Sequence, residues 1–128
     1  VANTILAMAI DIRTRKPKLG NLMGGLSGPS LKPIALRMAY QCARATKIPV
    51  IGCGGISNAE DVLEFLIAGA TAVQVGTATF IDPAIMPKIV NDLEALLARE
   101  GYSSVRDVIG SVIDEEQDNG VVFMEAAP

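Results

Sequence analysis

Two short apolar runs, each closing on glycine and separated by one helix length, constrain this chain more than any other feature. The first is IPVIGCGG, residues 48–55, and the second is TAVQV, residues 71–75, closed by Gly76. Continuous apolar runs of this length suit strands buried on both faces, as in a parallel sheet. Between them, Ser57 and Glu60 stand in the S-x-x-E spacing of a helix capping box. Val62, Phe65, Leu66 and Gly69 follow at i, i+3, i+4 and i+7, which is one helical face, and Gly69 supplies the residue that ends it. Strand, helix and strand in this order make a βαβ unit with parallel strands and a right-handed crossover.

The flanks extend the alternation. VANTILAMAIDI, at the N-terminus, reads as a strand already under way at Val1, as expected of a fragment of a longer protein. Residues 33–46 read as a helix: Ile34, Met38, Gln41-Cys42 and Ala45 advance at helical spacing, and Pro33 sits at a permitted first-turn position. Between these two lies a long Gly-rich loop, residues 11–29, and loops of that length in compact domains are functional or disordered. Asp82-Pro83 opens a further helical region. Pro87 places the start of its main helix nearby, after a preliminary turn, and Ile89, Leu93, Leu96 and Leu97 keep the period up to Gly101. Ser104 and Asp107 form a capping pair for a last short helix, Val105 to Ile113.

The expected fold class is therefore α/β. Three strands cannot close a barrel, and the pattern matches the C-terminal part, about three βα units, of a (β/α)8 TIM barrel of roughly 250 residues. One half of a doubly wound sheet is the other arrangement with this alternation. Residues 1–113 are expected to form the barrel portion. Residues 114–128, DEEQDNGVVFMEAAP, are expected to be an acidic, weakly structured tail.

Composition removes whole classes of chemistry. With no histidine in 128 residues, His-based triads and the usual zinc sites are excluded. A net charge of −3 argues against sequence-independent nucleic-acid binding. The basic cluster Arg13, Arg15, Lys16 and Lys18 reads first as a solvated loop and second as a phosphate or partner site. Cys42 and Cys53, with ten residues between them, read as reduced, buried thiols of a cytoplasmic protein. No apolar run nears the roughly 18 residues that span a bilayer, so no membrane association is expected.

In a (β/α)8 barrel, functional groups gather at the C-terminal ends of the strands. Asn3-Thr4, Gly54-Gly55 and Gly76-Thr77 are expected there. Turns of this kind offer unpaired N–H groups near a helix start, and glycine lets a phosphate approach them without meeting a Cβ. The same glycines also suit bare βα turns, and residue types alone leave both readings open. Asn3 and Thr4 offer an amide and a hydroxyl to an uncharged hydrogen-bonding ligand. Gln74, inside an apolar strand, is expected to be a structural amide.

Longer stretches carry a family resemblance. KPKLGNLMGGLSGPSLKPIALRMAYQ and PVIGCGGISNAEDVLEFLIAGATAVQVGTATF closely resemble dihydroorotate dehydrogenases, over residues 1 to about 113. The segment GGLSGPSLKPIALR resembles the class 1B catalytic subunits rather than the fumarate-dependent class 1A or membrane-associated class 2 enzymes. The resemblance implies an FMN-dependent barrel that oxidises dihydroorotate to orotate in pyrimidine biosynthesis. It implies substrate contacts at Asn3 and Thr4, flavin contacts at Ala2 and Gly28, and FMN phosphate binding at Gly54, Gly55, Gly76 and Thr77. Ala2 departs from the pattern, because the family more often carries Ile or Leu there; a backbone contact survives that change, with less packing on the flavin. The family's catalytic cysteine and assisting lysine have no counterpart here, so no catalytic residue is expected in this chain, which should be inactive alone. The resemblance also implies a second subunit carrying FAD and an iron–sulfur cluster, within a homo- or hetero-oligomer. Two other readings stand beside it: a non-catalytic phosphate- or FMN-binding half-barrel that self-associates, and another FMN-dependent barrel oxidoreductase.

Overall fold

The computed structural model describes residues 3–113; Ala2 and the 114–128 tail lie outside the described residues. Its elements, in order, are strands β1 (Ile5–Ala7) and β2 (Gly24–Leu26), helix α1 (Lys32–Ala45), strand β3 (Ile51–Cys53), helix α2 (Ala59–Ile67), strand β4 (Ala72–Gln74), the short helix α3 (Ala78–Ile81) and helix α4 (Ile85–Arg99). Strands β3 and β4 pair in parallel, with Ile51 opposite Ala72 and Cys53 opposite Gln74. This is the βαβ unit expected from the two glycine-terminated runs, and it gives the chain its α/β character.

The N-terminal region differs from the expectation. β1 is not a third parallel strand: it pairs antiparallel with β2, Ile5 opposite Leu26 and Ala7 opposite Gly24. Residues 11–29 are thus largely the tip and return strand of a hairpin rather than an open loop. Asp11 builds the tip. Its Oδ1 accepts from the N–H groups of Arg13 and Thr14, at 2.9 and 2.8 Å, while its backbone N–H donates to the Lys16 carbonyl. A short side-chain carboxylate that ties its own loop in this way competes effectively with an extended chain. Those bonds hold the Asp11 carboxyl below its usual pKa. The basic residues Arg13, Arg15, Lys16 and Lys18 all lie exposed on this tip.

The core lies between the parallel pair and helices α1, α2 and α4. Phe65 and Ala39 are fully buried, and Leu31, Ala35, Ile56, Val62, Leu66 and Ile89 join them. The α2 and α4 faces follow the expected periods. Helix α1 does not: it turns Ala35 and Ala39 inward and leaves Ile34 exposed. Small side chains win that face because the glycine turn after β3 approaches so closely that a Cβ on Gly54 would stand 2.7 Å from the Ala35 Cβ. The α2 start is also displaced by one residue. Asn58 is the cap, accepting from the Asp61 N–H at 2.8 Å, in place of the expected Ser57–Glu60 box. Ser104 and Asp107 form the reciprocal box expected, but it opens only a single 3-10 turn, Val105–Asp107.

The parallel pair is covered on one face only. Gly52 is buried and Val73 half-buried toward the helices, whereas Ile51, Ala72 and Gln74 are exposed on the other face. The expectation of strands buried on both faces, and of a buried Gln74, fails for that reason. Among the described residues no helix is long and apolar enough to cross a membrane.

Candidate functional site

The glycine turn after β3 is fixed by backbone geometry and by α1. Gly54 and Gly55 have φ of 129° and 76°, in the left-handed region that side chains disfavour. A Cβ on Gly55 would stand 2.6 Å from the Lys32 backbone nitrogen. Glycine at these two positions is therefore required by the fold itself, whatever binds there. Gly76 is different. Its φ is not positive, and among the described residues nothing lies within 4 Å of the place its Cβ would take. No internal contact explains glycine at 76, and the space beside it opens into a cleft.

That cleft, of about 170 Å³, gathers nearly all the residues singled out from the sequence. Asn3, Thr4 and Gly28 line one side; Gly54 and Gly55 line the second; Gly76 and Thr77 close the third. Asn3-Thr4 reaches it from an unexpected direction, since the pair precedes β1 instead of following a strand of the parallel sheet. The hairpin supplies the missing placement. Gly25 of β2 lies directly over the Thr4 side chain, leaving 2.6 Å between a hypothetical Gly25 Cβ and Thr4 Cβ. Gly28, buried with φ 89°, brings the following loop to within ordinary contact of Thr77, 3.8 Å from Cγ2 to the Gly28 Cβ position. Ala2 falls outside the described residues.

The donors of this cleft are the backbone amides. Among the described residues, no turn or loop hydrogen bond takes its donor from the N–H of Gly54, Gly55, Gly76 or Thr77. Thr79 Oγ1 donates to the Gly76 carbonyl at 2.7 Å and so steadies that turn from behind. The Thr4 N–H donates to Asn3 Oδ1 at 2.8 Å, which occupies the amide oxygen and leaves the Asn3 NH2 group as a donor.

Beside the β3 turn stands a buried ion pair that the sequence reading missed. Asp61, 5% exposed, accepts from Lys32 Nζ at 2.6 Å through Oδ1, and from the N–H and hydroxyl of Ser57 at 2.8 and 2.9 Å through Oδ2. Burial pushes the Asp61 carboxyl up, but Lys32 and the two Ser57 donors outweigh it and hold the pKa below the usual carboxylate value. The same partnership, with Glu64 as second acceptor at 2.9 Å, raises the Lys32 pKa. No sequence signal was available, because Lys32 and Asp61 lie 29 residues apart and periodicity cannot pair them.

Two other expectations change. Cys53 is half-buried and lines the cleft, and Cys42 is likewise half-buried, so neither is the buried thiol expected; both are free. Gln74, expected to be a structural amide, and Ser27, given no role from the sequence, also line the cleft. The described residues contain no cluster of three or more His, Cys, Asp or Glu side chains able to hold a metal ion.

Several known proteins are similar to this chain. The family model described as dihydroorotate dehydrogenase matches residues 1–97. A Bacillus pumilus protein named dihydroorotate dehydrogenase B (NAD(+)), catalytic subunit, is 56% identical over 108 residues, covering 84% of this chain and 35% of the relative. A Solibacter usitatus relative named for the A (fumarate) type is 55% identical over 112 residues, covering 88% and 37%. Among solved structures, the Eimeria tenella DHODH in complex with ferulenol superposes with a TM-score of 0.65 at 31% identity, covering 68% of this chain and 24% of that one. The chain thus spans little more than a third of the length of the curated relatives it matches.

Proposed function

The chain belongs to the dihydroorotate dehydrogenase family, and from that premise we propose that it serves FMN-dependent oxidation of dihydroorotate to orotate in pyrimidine biosynthesis. Its own part is the FMN phosphate grip and one wall of the substrate pocket. The observation that carries this reading is Gly76: a glycine with no conformational or steric need among the described residues, facing the same cleft as Gly54 and Gly55. A phosphate drawn to the amides of Gly54, Gly55, Gly76 and Thr77 supplies the need that the fold does not.

The residues present fit the flavin. The cradle offers backbone N–H donors and no carboxylate among its lining residues. FMN, when bound, supplies a two-electron acceptor for the oxidation. The chain's residues would do the holding: Gly28 would border the flavin, and Asn3 and Thr4 would present amide and hydroxyl donors to the substrate, with Ala2 a further flavin contact implied by the family resemblance. Fixing both ligands in one orientation is how such a wall contributes to rate. A cleft of about 170 Å³ is smaller than the roughly 300–1,000 Å³ of a whole ligand pocket, as suits a site completed by further protein.

The catalytic base lies outside this chain, since neither Cys42 nor Cys53 stands where the family's loop cysteine would. The B-type names of relatives support a partner subunit, for which we propose an FAD and iron–sulfur protein passing electrons to NAD, in a cytoplasmic oligomer. The test is direct. The intact protein should bind FMN and orotate and turn over dihydroorotate, while the purified 128-residue chain should show no turnover with added FMN. Turnover by the chain alone, or an intact protein indifferent to FMN, would overturn the proposal.

A further inference from the structure

Gly54 to Ser57 form a turn that is gripped from both ends. At one end Gly55 lies against the Lys32 backbone, 2.6 Å from nitrogen to the Cβ position. At the other, Ser57 donates its N–H and hydroxyl to Asp61 Oδ2. The Lys32 side chain then reaches across to Asp61 Oδ1, at 2.6 Å, and closes the ring. Ile56, between the two grips, is buried in the core. The turn therefore has little freedom once the Lys32–Asp61 pair is made.

We propose that Asp61 is a positioning residue for phosphate binding, acting through Ser57 and Lys32 to set the Gly54 and Gly55 amides. This rests on the reading of that turn as a phosphate cradle. Two features favour positioning over a purely structural pair. A buried carboxylate near an anion site repels the anion through space, so its presence calls for a compensating role. Asp61 also occupies the Ser57 N–H, which leaves the preceding amides as the donors offered to a ligand. Lys32 offsets only one of the two carboxylates it bridges, Asp61 and Glu64, and the Glu64 carboxylate is half exposed to water.

The sign of one substitution separates the possibilities. If Asp61 acted only through its charge, Asp61→Ala would strengthen FMN binding. Positioning predicts the reverse. The measurement is the dissociation constant of FMN and of riboflavin, by flavin fluorescence, on the intact protein freed of flavin. The ratio of the two isolates the phosphate contribution. Asp61→Ala should cut the preference for FMN about tenfold, with riboflavin binding within twofold of wild type. Asp61→Asn should lose less, because the amide oxygen still accepts from Ser57, and Lys32→Arg should retain more preference than Lys32→Met. A lowered melting temperature with an unchanged ratio in Asp61→Asn and Lys32→Met would overturn the inference while leaving the cradle standing. A wild-type protein that does not prefer FMN to riboflavin would overturn the cradle itself, and the inference with it.

Discussion

Gly25 is packed so tightly over Thr4 that a methyl group there would overlap the Thr4 hydroxyl and come within 2.6 Å of its Cβ. The contact joins the returning strand of the hairpin to a proposed substrate contact. Gly25 has no positive φ, so alanine is conformationally permitted and its effect falls on Thr4. Gly25→Ala should weaken orotate binding about 2- to 10-fold, the worth of one neutral hydrogen bond. FMN affinity should be unchanged. Parallel titrations of the two ligands on the intact protein check this.

Gly76 and Gly55 should respond differently to the same change. Gly76→Ala meets nothing within 4 Å among the described residues, so its folding cost should stay within about 0.5 kcal/mol, as for an unencumbered surface site. Its cost should appear as weaker FMN binding, because a methyl group would stand in the phosphate's approach. Gly55→Ala combines a φ of 76° with a backbone clash against Lys32, and should lower stability by more than 1 kcal/mol with or without ligand. Urea unfolding in the absence and presence of FMN separates the two.

How far the sequence could be read follows from what each signal measures. The runs ending at Gly54-Gly55 and Gly76 gave β3, α2 and β4, since strand hydrophobicity and helical period are local properties. The faces of α2 and α4 were legible because large apolar residues mark them. The face of α1 was not, because the close approach of Gly54 selects alanine there, and alanine carries little weight in a hydrophobic pattern. The hairpin was hidden by its Asp11-centred tip, whose side-chain bonds leave no apolar periodicity to detect. All seven described site positions could be placed in one cleft only once that hairpin was known to carry Thr4 and Gly28 toward Thr77. The Lys32–Asp61 pair, 29 residues apart, depends wholly on tertiary packing.

The pH dependence of stability carries a definite sign at Asp61. Its folded pKa is lowered, so its contribution is fully present above the ordinary carboxylate value near pH 4 and is lost as pH falls through the folded value. Lys32, with a raised folded pKa, contributes below its ordinary value near 10.4 and loses that contribution as pH rises through the folded one. The pair is thus intact across the neutral range. Asp61→Asn should lower the melting temperature most near pH 7, and the gap from wild type should close as pH falls below about 4. Melting curves at several pH values on the intact protein test this; a gap that is constant with pH would refute it.

The Gly52–Phe65 contact should show coupling between its two partners. Phe65 is fully buried, and a Cβ on Gly52 would stand 2.5 Å from its Cδ1. Gly52→Ala therefore overpacks the core between β3 and α2, at a cost of about 1–3 kcal/mol. Phe65→Ala removes the ring and should cost about 3–5 kcal/mol by opening a cavity. In the double variant the methyl at 52 enters space the ring has vacated, so its penalty should vanish or reverse. The combined cost should then fall short of the sum by roughly 0.5–3 kcal/mol, the range found for residues in contact. A double-mutant cycle by urea unfolding measures the difference, and simple additivity would show that the strand and helix do not meet through this pair.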